Sequence, residues 1–191
     1  MPTAADLAEL VRLPAVLSVP GDVLVGAAAS GQAGDVRRTV GLVGSSSLLY
    51  LAGMALNDYA DREVDAVERP SRPIPSGRVS PGFALGFATA LTAGSLGLAV
   101  VADGRRALTV ALPLTAAVWG YDFVGKSTPV ASLSMAACRG LDVLMGSGAR
   151  DAAAALPAAA VVTAHITAVT EVSRREVEGA DKAVPLNALL A

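Results

Sequence analysis

Residues 57–80 read NDYADREVDAVERPSRPIPSGRVS, and the first nineteen of them hold three Asp, three Arg, two Glu and three Pro. Oxygen donors at Asn57, Asp61 and Asp65 recur at i, i+4 and i+8, which predicts that they share one helix face. Asp58 lies one residue round and reaches that face through Asp61 at i+3. Carboxylates stacked this way repel one another unless a cation lies between them. Hard oxygen donors suit Mg²⁺, which shares its coordination with water and substrate phosphates. Arg62, Arg69 and Arg72 follow, and a guanidinium grips phosphate oxygens as a fork. With the apolar run 39–56 just before it, the stretch describes a site for a diphosphate on a greasy tail. The plain alternative is a solvated loop whose cations only set topology. The regular face spacing, and the lack of such density elsewhere in the chain, favour the site.

Composition says where this site must work. Of 191 residues, 53% are hydrophobic and 17% charged, with a mean hydropathy of +0.53. A soluble domain carries roughly a quarter charged residues. The apolar residues here gather into blocks of membrane-crossing length, so an integral membrane protein is expected. A single cysteine, Cys138, excludes an internal disulfide and a cysteine-based zinc site. A net charge of −2 without a basic arm leaves no footprint for nucleic acid. Asp6 and Glu9 precede Arg12, the wrong sign for a signal-peptide n-region, so the first apolar run reads as a retained helix.

Six spans fit the pattern, at 13–31, 40–60, 82–102, 107–124, 129–148 and 152–171, each near the roughly twenty residues that cross the hydrocarbon. The expected fold is an all-α transmembrane bundle forming a single domain over 1–191. Gly82 and Gly86, with Gly94 and Gly97, predict close helix approach at the third span. Ser80-Pro81 is a helix start, an N-cap followed by proline in the first turn. Pro20-Gly21 loosens the first span, and Asp22 beside it either lines a cavity or is satisfied by a neighbouring helix. In the fifth span Arg139 and Asp142, at i and i+3, form either a cavity wall or a self-neutralising pair. Cys138 reads as a packing residue there, and His165 as a polar group satisfied within the bundle.

The acidic stretch also resembles a known family. N-D-x-x-D-x-x-x-D, then R-x-x-R-P and P-S-G-x-V-S, is similar to the first Asp-rich motif of the UbiA-type intramembrane prenyltransferases. Here it is Asn57, Asp58, Asp61, Asp65, Arg69, Arg72, Pro73, Pro75, Ser76, Gly77, Val79 and Ser80. Tyr121 and Lys126 resemble the family's short motif facing the diphosphate; taken alone they are ordinary interface anchors. At the family's second Asp-rich motif the aspartates are missing. Glu171 stands for the first, and Glu176 or Asp181 for the second, as in a divergent branch resembling EboC-like proteins. Nine spans are usual in the family, whereas the pattern here ends after six. Further helices or pairing into an oligomer would close the bundle.

The resemblance implies Mg²⁺-dependent transfer of a polyprenyl group from a prenyl diphosphate to an aromatic or other electron-rich small-molecule acceptor, within the bilayer. By it, Asn57, Asp58, Asp61, Asp65, Glu171 and Glu176 would hold metal. Arg69, Arg72, Lys126, Arg139 and Arg174 would bind substrate, with Asp61, Asp65, Tyr121 and Lys126 at the chemistry. Two rivals remain at this stage. One is a non-catalytic subunit or carrier binding a lipid phosphate. The other is a CDP-alcohol phosphotransferase, against which the missing Asp series after Asp103-Gly104-Arg105-Arg106 counts.

Lys and Arg number nine on the side of the N-terminus and the acidic stretch, and five on the other. The bias predicts a cytoplasmic acidic stretch. A cysteine placed at Ser76, after Cys138 is replaced, is expected to be shielded from impermeant thiol reagent in intact cells. Labelling from outside overturns the orientation.

Overall fold

In the computed structural model every element is helical, and residues 2–128, 130–148 and 151–178 are described, without the side chains of 127 and 174–178. Helix α1 (Ala4–Leu10) starts with a capping box: Thr3 Oγ1 accepts from the Asp6 N–H, and the Asp6 carboxylate accepts from the Thr3 N–H. The chain breaks at Arg12, whose φ of 48° is left-handed. In a non-glycine residue this conformation costs roughly 1–3 kcal/mol. A 3₁₀ segment, Leu13–Ser18, leads to α2 (Pro20–Ala29), where Pro20 occupies the first turn. The expected first span, 13–31, thus corresponds to Leu13–Ala29, which meets α1 at a 50° bend.

Helix α3 (Val36–Ala60) is capped by Asp35, which accepts from the Arg38 N–H. It gives way at Asp61 to the short α4 (Arg62–Glu68). Helix α5 (Pro81–Asp103) begins as the sequence predicts, with Ser80 Oγ accepting from the Phe83 N–H and Pro81 in the first turn. Helices α6 (Leu108–Phe123), α7 (Ala131–Ser147) and α8 (Ala152–Glu178) complete the described chain. Among the described residues α3, α5 and Ala152–Ser173 of α8 are long and apolar enough to cross a membrane, and the bent N-terminal pair makes a fourth candidate. Helices α6 and α7 occupy the expected fourth and fifth positions with 16 and 17 residues. At 1.5 Å per residue they reach about 24–26 Å, short of a hydrocarbon core of about 30 Å.

Small residues do bring helices close: on α5 Gly94 meets Leu48 of α3, and Gly41 of α3 lies against Ala102. The other named glycines of α5, Gly82, Gly86 and Gly97, have nothing near where a Cβ would stand. The tight crossing is between α2 and α7. A Cβ on Gly26 would run into the Val143 carbonyl, and one on Gly146 into the Val23 carbonyl. Helices α3 and α5 are instead stitched by hydroxyls: Ser45 Oγ donates to the Ser95 carbonyl and Ser95 Oγ to the Ser45 carbonyl, each at 2.7 Å. Arg38, buried, ties α3 to Asp103 at 2.7 Å and to the Gly146 carbonyl. At the other end Arg78 holds α1 against the loop after α4, through Asp6 at 2.8 Å, Glu9 at 2.7 Å and the Ser71 carbonyl. The hydrogen bonds that Arg78 donates to Glu9 and Asp6 raise its pKa above the ordinary value, so its charge is secure. Beneath it Leu10 and Val11 pack on Ala55, Leu56, Ile74 and Val79.

Overpacking of this kind costs roughly 1–3 kcal/mol. Gly26→Ala and Gly146→Ala are therefore expected to lower the Tm of the detergent-purified protein. Gly86→Ala serves as the control and should leave it unchanged. Equal Tm values for all three would remove the backbone contact as a constraint.

Candidate active site

The last turn of α3 carries Asn57 and Asp58, and Asp61 closes it by donating its N–H to the Asn57 carbonyl at 2.9 Å. Because α4 restarts there, the four residues do not form the single expected face. Asp58 and Asp65, both buried, share Arg72: Nη1 lies 3.2 Å from Asp58 Oδ1 and 2.6 Å from Asp65 Oδ2. Asp58 Oδ1 also accepts from Arg12 Nη2 at 3.0 Å, and Asn57 Oδ1 accepts from the same nitrogen at 3.1 Å. Asn57 Nδ2 in turn donates to Asp122 Oδ1 at 3.2 Å. Asp61 stands apart, 2.7 Å from Lys126 Nζ. That nitrogen is buried but lacks a well-directed hydrogen bond, so its donors are available.

Of these groups Arg12, Asn57 and Asp122 line a cavity of about 540 Å³ between the bent N-terminal segment and helices α3, α6, α7 and α8. Asp58 joins it only as the ion-pair partner of Arg12, while Asp61 and its partner Lys126 are not among the lining residues. Arg12, Asn57, Tyr121 and Asp122 form one polar part of its wall. Leu49, Met54, Leu114, Val118 and Met135 form an apolar stretch, and Ser46, Arg139 and Asp142 a second polar part. Such a wall has the chemistry to accept a charged head beside a long apolar body.

Of the sequence-predicted residues, Asn57, Tyr121 and Arg139 line the cavity. Asp58, Asp65 and Arg72 form the buried ionic chain, joined by Arg69 at 3.6 Å from Asp65 Oδ1. Asp58, one residue round from the expected face, is among the most enclosed. Arg139 and Asp142 do not pair with each other. Arg139 Nε lies 2.7 Å from Asp22, and Asp142 takes Ser46. The reason is spatial: α2 packs directly on α7 and offers Arg139 a nearer partner. Arg62 turns aside, its guanidinium 4.7 Å over the Tyr59 ring. Glu171 of α8 accepts from Ser132 Oγ at 3.1 Å. The Arg174 and Glu176 side chains, and Asp181, lie outside the described residues. His165 is exposed on α8 rather than enclosed. Two site residues escaped the sequence reading. Arg12 entered it only as a charge for topology. Asp122, between Tyr121 and Lys126, had a usable signal in its i, i+4 spacing to Lys126.

Among the described residues no three of His, Cys, Asp and Glu converge as a ready metal cage. Mg²⁺ needs none: in phosphate-handling sites it takes one or two carboxylates plus water and phosphate oxygens. The all-oxygen donor set of Asn57, Asp58, Asp61 and Asp65 fits that chemistry. Asp61, held only by Lys126 and about a third exposed, is the carboxylate most open to an ion.

Fold and site together are those of a helical membrane bundle with paired carboxylates and guanidiniums beside a largely apolar cavity. Residues 20–174 match the UbiA prenyltransferase family, and the chain belongs to it. It is similar to digeranylgeranylglyceryl phosphate synthase of Halobacterium salinarum, 33% identical over 179 residues, 93% of this chain and 63% of that protein. With the enzyme of that name from Methanopyrus kandleri it is 41% identical over 108 residues, 56% of this chain and 39% of that one. The fold resembles a solved structure of a digeranylgeranylglyceryl phosphate synthase, with TM-score 0.71 at 20% identity, covering 86% of this chain and 58% of that one. The chain thus spans less than two thirds of the length of these relatives.

Removing one partner of a buried ionic arrangement costs roughly 3–5 kcal/mol. Asp58→Asn is therefore expected to lower the Tm markedly, because Arg12 and Arg72 both lose a charge. Asp61→Asn, at a half-open position, should leave the Tm nearly unchanged. Parallel melting curves of the two variants check this, and equal losses would contradict the arrangement.

Proposed function

We propose that the protein transfers a prenyl group from a prenyl diphosphate to the hydroxyl of a small acceptor within the membrane. The observation that carries this reading is the pairing of rim cations with spare donors and an apolar cavity wall beyond them. An incoming diphosphate brings several negative charges, which draw Lys126, Arg72 and Arg12 off their carboxylates. The freed Asp61, with Asn57 and Asp65, would hold Mg²⁺, which when bound neutralises charge on the leaving diphosphate. Arg72 and Lys126 then grip the diphosphate oxygens as the prenyl C1–O bond lengthens. Tyr121, on the same wall, offers a hydroxyl to them. The Leu49, Met54, Leu114 and Val118 surfaces hold the tail and keep water from the allylic carbon.

The bonding pair of the C1–O bond leaves with the diphosphate, and the acceptor oxygen forms the new bond to C1. Its hydroxyl proton passes to Asp122, the buried carboxylate that Asn57 orients. The relatives' name denotes a glyceryl phosphate bearing two geranylgeranyl groups, which supports a geranylgeranyl-sized donor and an oxygen nucleophile in place of the aromatic acceptor expected from sequence. The charge bias favours a cytoplasmic rim, where soluble diphosphate and Mg²⁺ meet the bilayer.

The test is incorporation of labelled geranylgeranyl diphosphate into a hydroxyl-bearing glycerol lipid by the purified chain. Transfer is expected with Mg²⁺ and not with EDTA. Losing one electrostatic contact to the developing charge costs about 10²–10³ in turnover. Asp61→Asn and Lys126→Ala should each fall in that range. Tight diphosphate binding without any turnover would instead favour a non-catalytic lipid-phosphate carrier.

A further inference from the structure

The second polar part of the cavity wall takes no part in the scheme above. Arg139 and Asp142 sit one turn apart on α7, and both line the cavity. Arg139 Nε lies 2.7 Å from Asp22 Oδ2, but off the hydrogen-bonding direction, so that neither atom has a hydrogen-bond partner. Its Nη2 donates to the Ser18 carbonyl at 3.3 Å. A guanidinium carries five N–H donors, so about three are unused. Asp142 is buried, and both of its oxygens lie near Ser46 Oγ, at 2.5 and 2.7 Å. A serine hydroxyl has one hydrogen, whereas a carboxylate offers about four lone-pair sites. Acceptor capacity is therefore in surplus beside Asp142, and donor capacity beside Arg139.

We propose that this group seats the head of the prenyl acceptor, and that the head is an uncharged polyol. The proposal rests on the prenyl-transfer reading only for calling the ligand an acceptor. Hydroxyls both give and take hydrogen bonds, so one polyol satisfies the donors of Arg139 and the oxygens of Asp142 together. An oxyanion cannot do this. Asp22 already balances the one guanidinium, so with Asp142 the group carries no positive surplus. A phosphate placed there would face two carboxyl groups, and like charges repel. The named relatives carry a glyceryl phosphate in their product, so this property separates the present chain from them.

Two lipids with the same tail test the idea: geranylgeranylglycerol, a neutral diol, and geranylgeranylglyceryl phosphate. Equilibrium binding to the full detergent-purified chain is measured without prenyl diphosphate. The diol is expected to bind at least ten times more tightly. Asp142→Asn removes a carboxylate and should narrow that preference at least fivefold. The double variant Asp22→Asn/Arg139→Gln removes both members of the ion pair together, so neither is left charged without its partner. It should weaken diol binding tenfold while geranylgeranyl diphosphate, bound at the other polar part, stays within twofold and reports an intact fold. Equal or tighter binding of the phosphate by the unaltered protein overturns the proposal, as does unchanged diol affinity in the double variant. Diol binding without transfer from labelled geranylgeranyl diphosphate supports the seat and counts against the prenyl-transfer reading alone.

Discussion

One carboxylate oxygen, Asp58 Oδ1, is where three separate stretches of chain meet. Arg12 reaches it from the break after α1 at 3.0 Å, and Arg72 from the loop after α4 at 3.2 Å. The carboxylate itself belongs to α3. A buried charge in or near lipid is expensive unless paired, and an aspartate with two guanidiniums satisfies that demand without a bound ligand. The demand explains the left-handed backbone of Arg12, a strain that places its guanidinium over the cavity. It also explains why α1 is fastened by Arg78: the N-terminal segment must be held where Arg12 can reach.

The same arrangement links stability to chemistry. Each cation that a diphosphate would need is already present and held by a carboxylate that a metal would need. In the proposed reaction, bringing substrate in would exchange partners instead of ordering new side chains. Side-chain freedom is largely spent before binding, and the affinity lost to ordering at that moment is correspondingly small. Lys126 shows the point most plainly, buried and ion-paired yet short of well-directed hydrogen bonds. Asp58 and Arg72 sit deeper, so their pairing serves the fold as much as the ligand.

The helical architecture and the membrane setting were legible from apolar blocks and from the Ser80-Pro81 start, because both follow from local chain physics. The acidic stretch was legible too, yet its pairing was not. A uniform helical period cannot reveal that α3 stops at Ala60, and that stop is what turns Asp65 toward Arg72. Arg12 was unreadable for a related reason: only the bend after α1 carries it to Asn57 and Asp58, 45 and 46 residues away in the chain but adjacent in space. The Arg139–Asp142 pair misled because i, i+3 spacing describes a helix in isolation, whereas α2 supplies Asp22 from outside. Small-residue spacing on α5 misled likewise at Gly82, Gly86 and Gly97, since a glycine marks a close approach only where another helix arrives.

That last point connects the packing to the cavity. Gly26 and Asp22 are one turn apart on α2, as Gly146 and Asp142 are on α7. With no Cβ on either glycine, the two backbones touch, carbonyl of Val143 against Gly26 and carbonyl of Val23 against Gly146. The contact fixes both the separation and the register of the helices. Asp22 is thereby set beside Arg139, the residue one further turn along α7, and its carboxylate orients the guanidinium at the cavity wall. A larger residue at either glycine would push α2 outward and take Asp22 with it, leaving Arg139 to find Asp142. The polar group would then neutralise itself, and the surplus of donors and acceptors that faces the cavity would be lost. The small residues thus act on the chemistry through geometry alone, by deciding which carboxylate Arg139 meets.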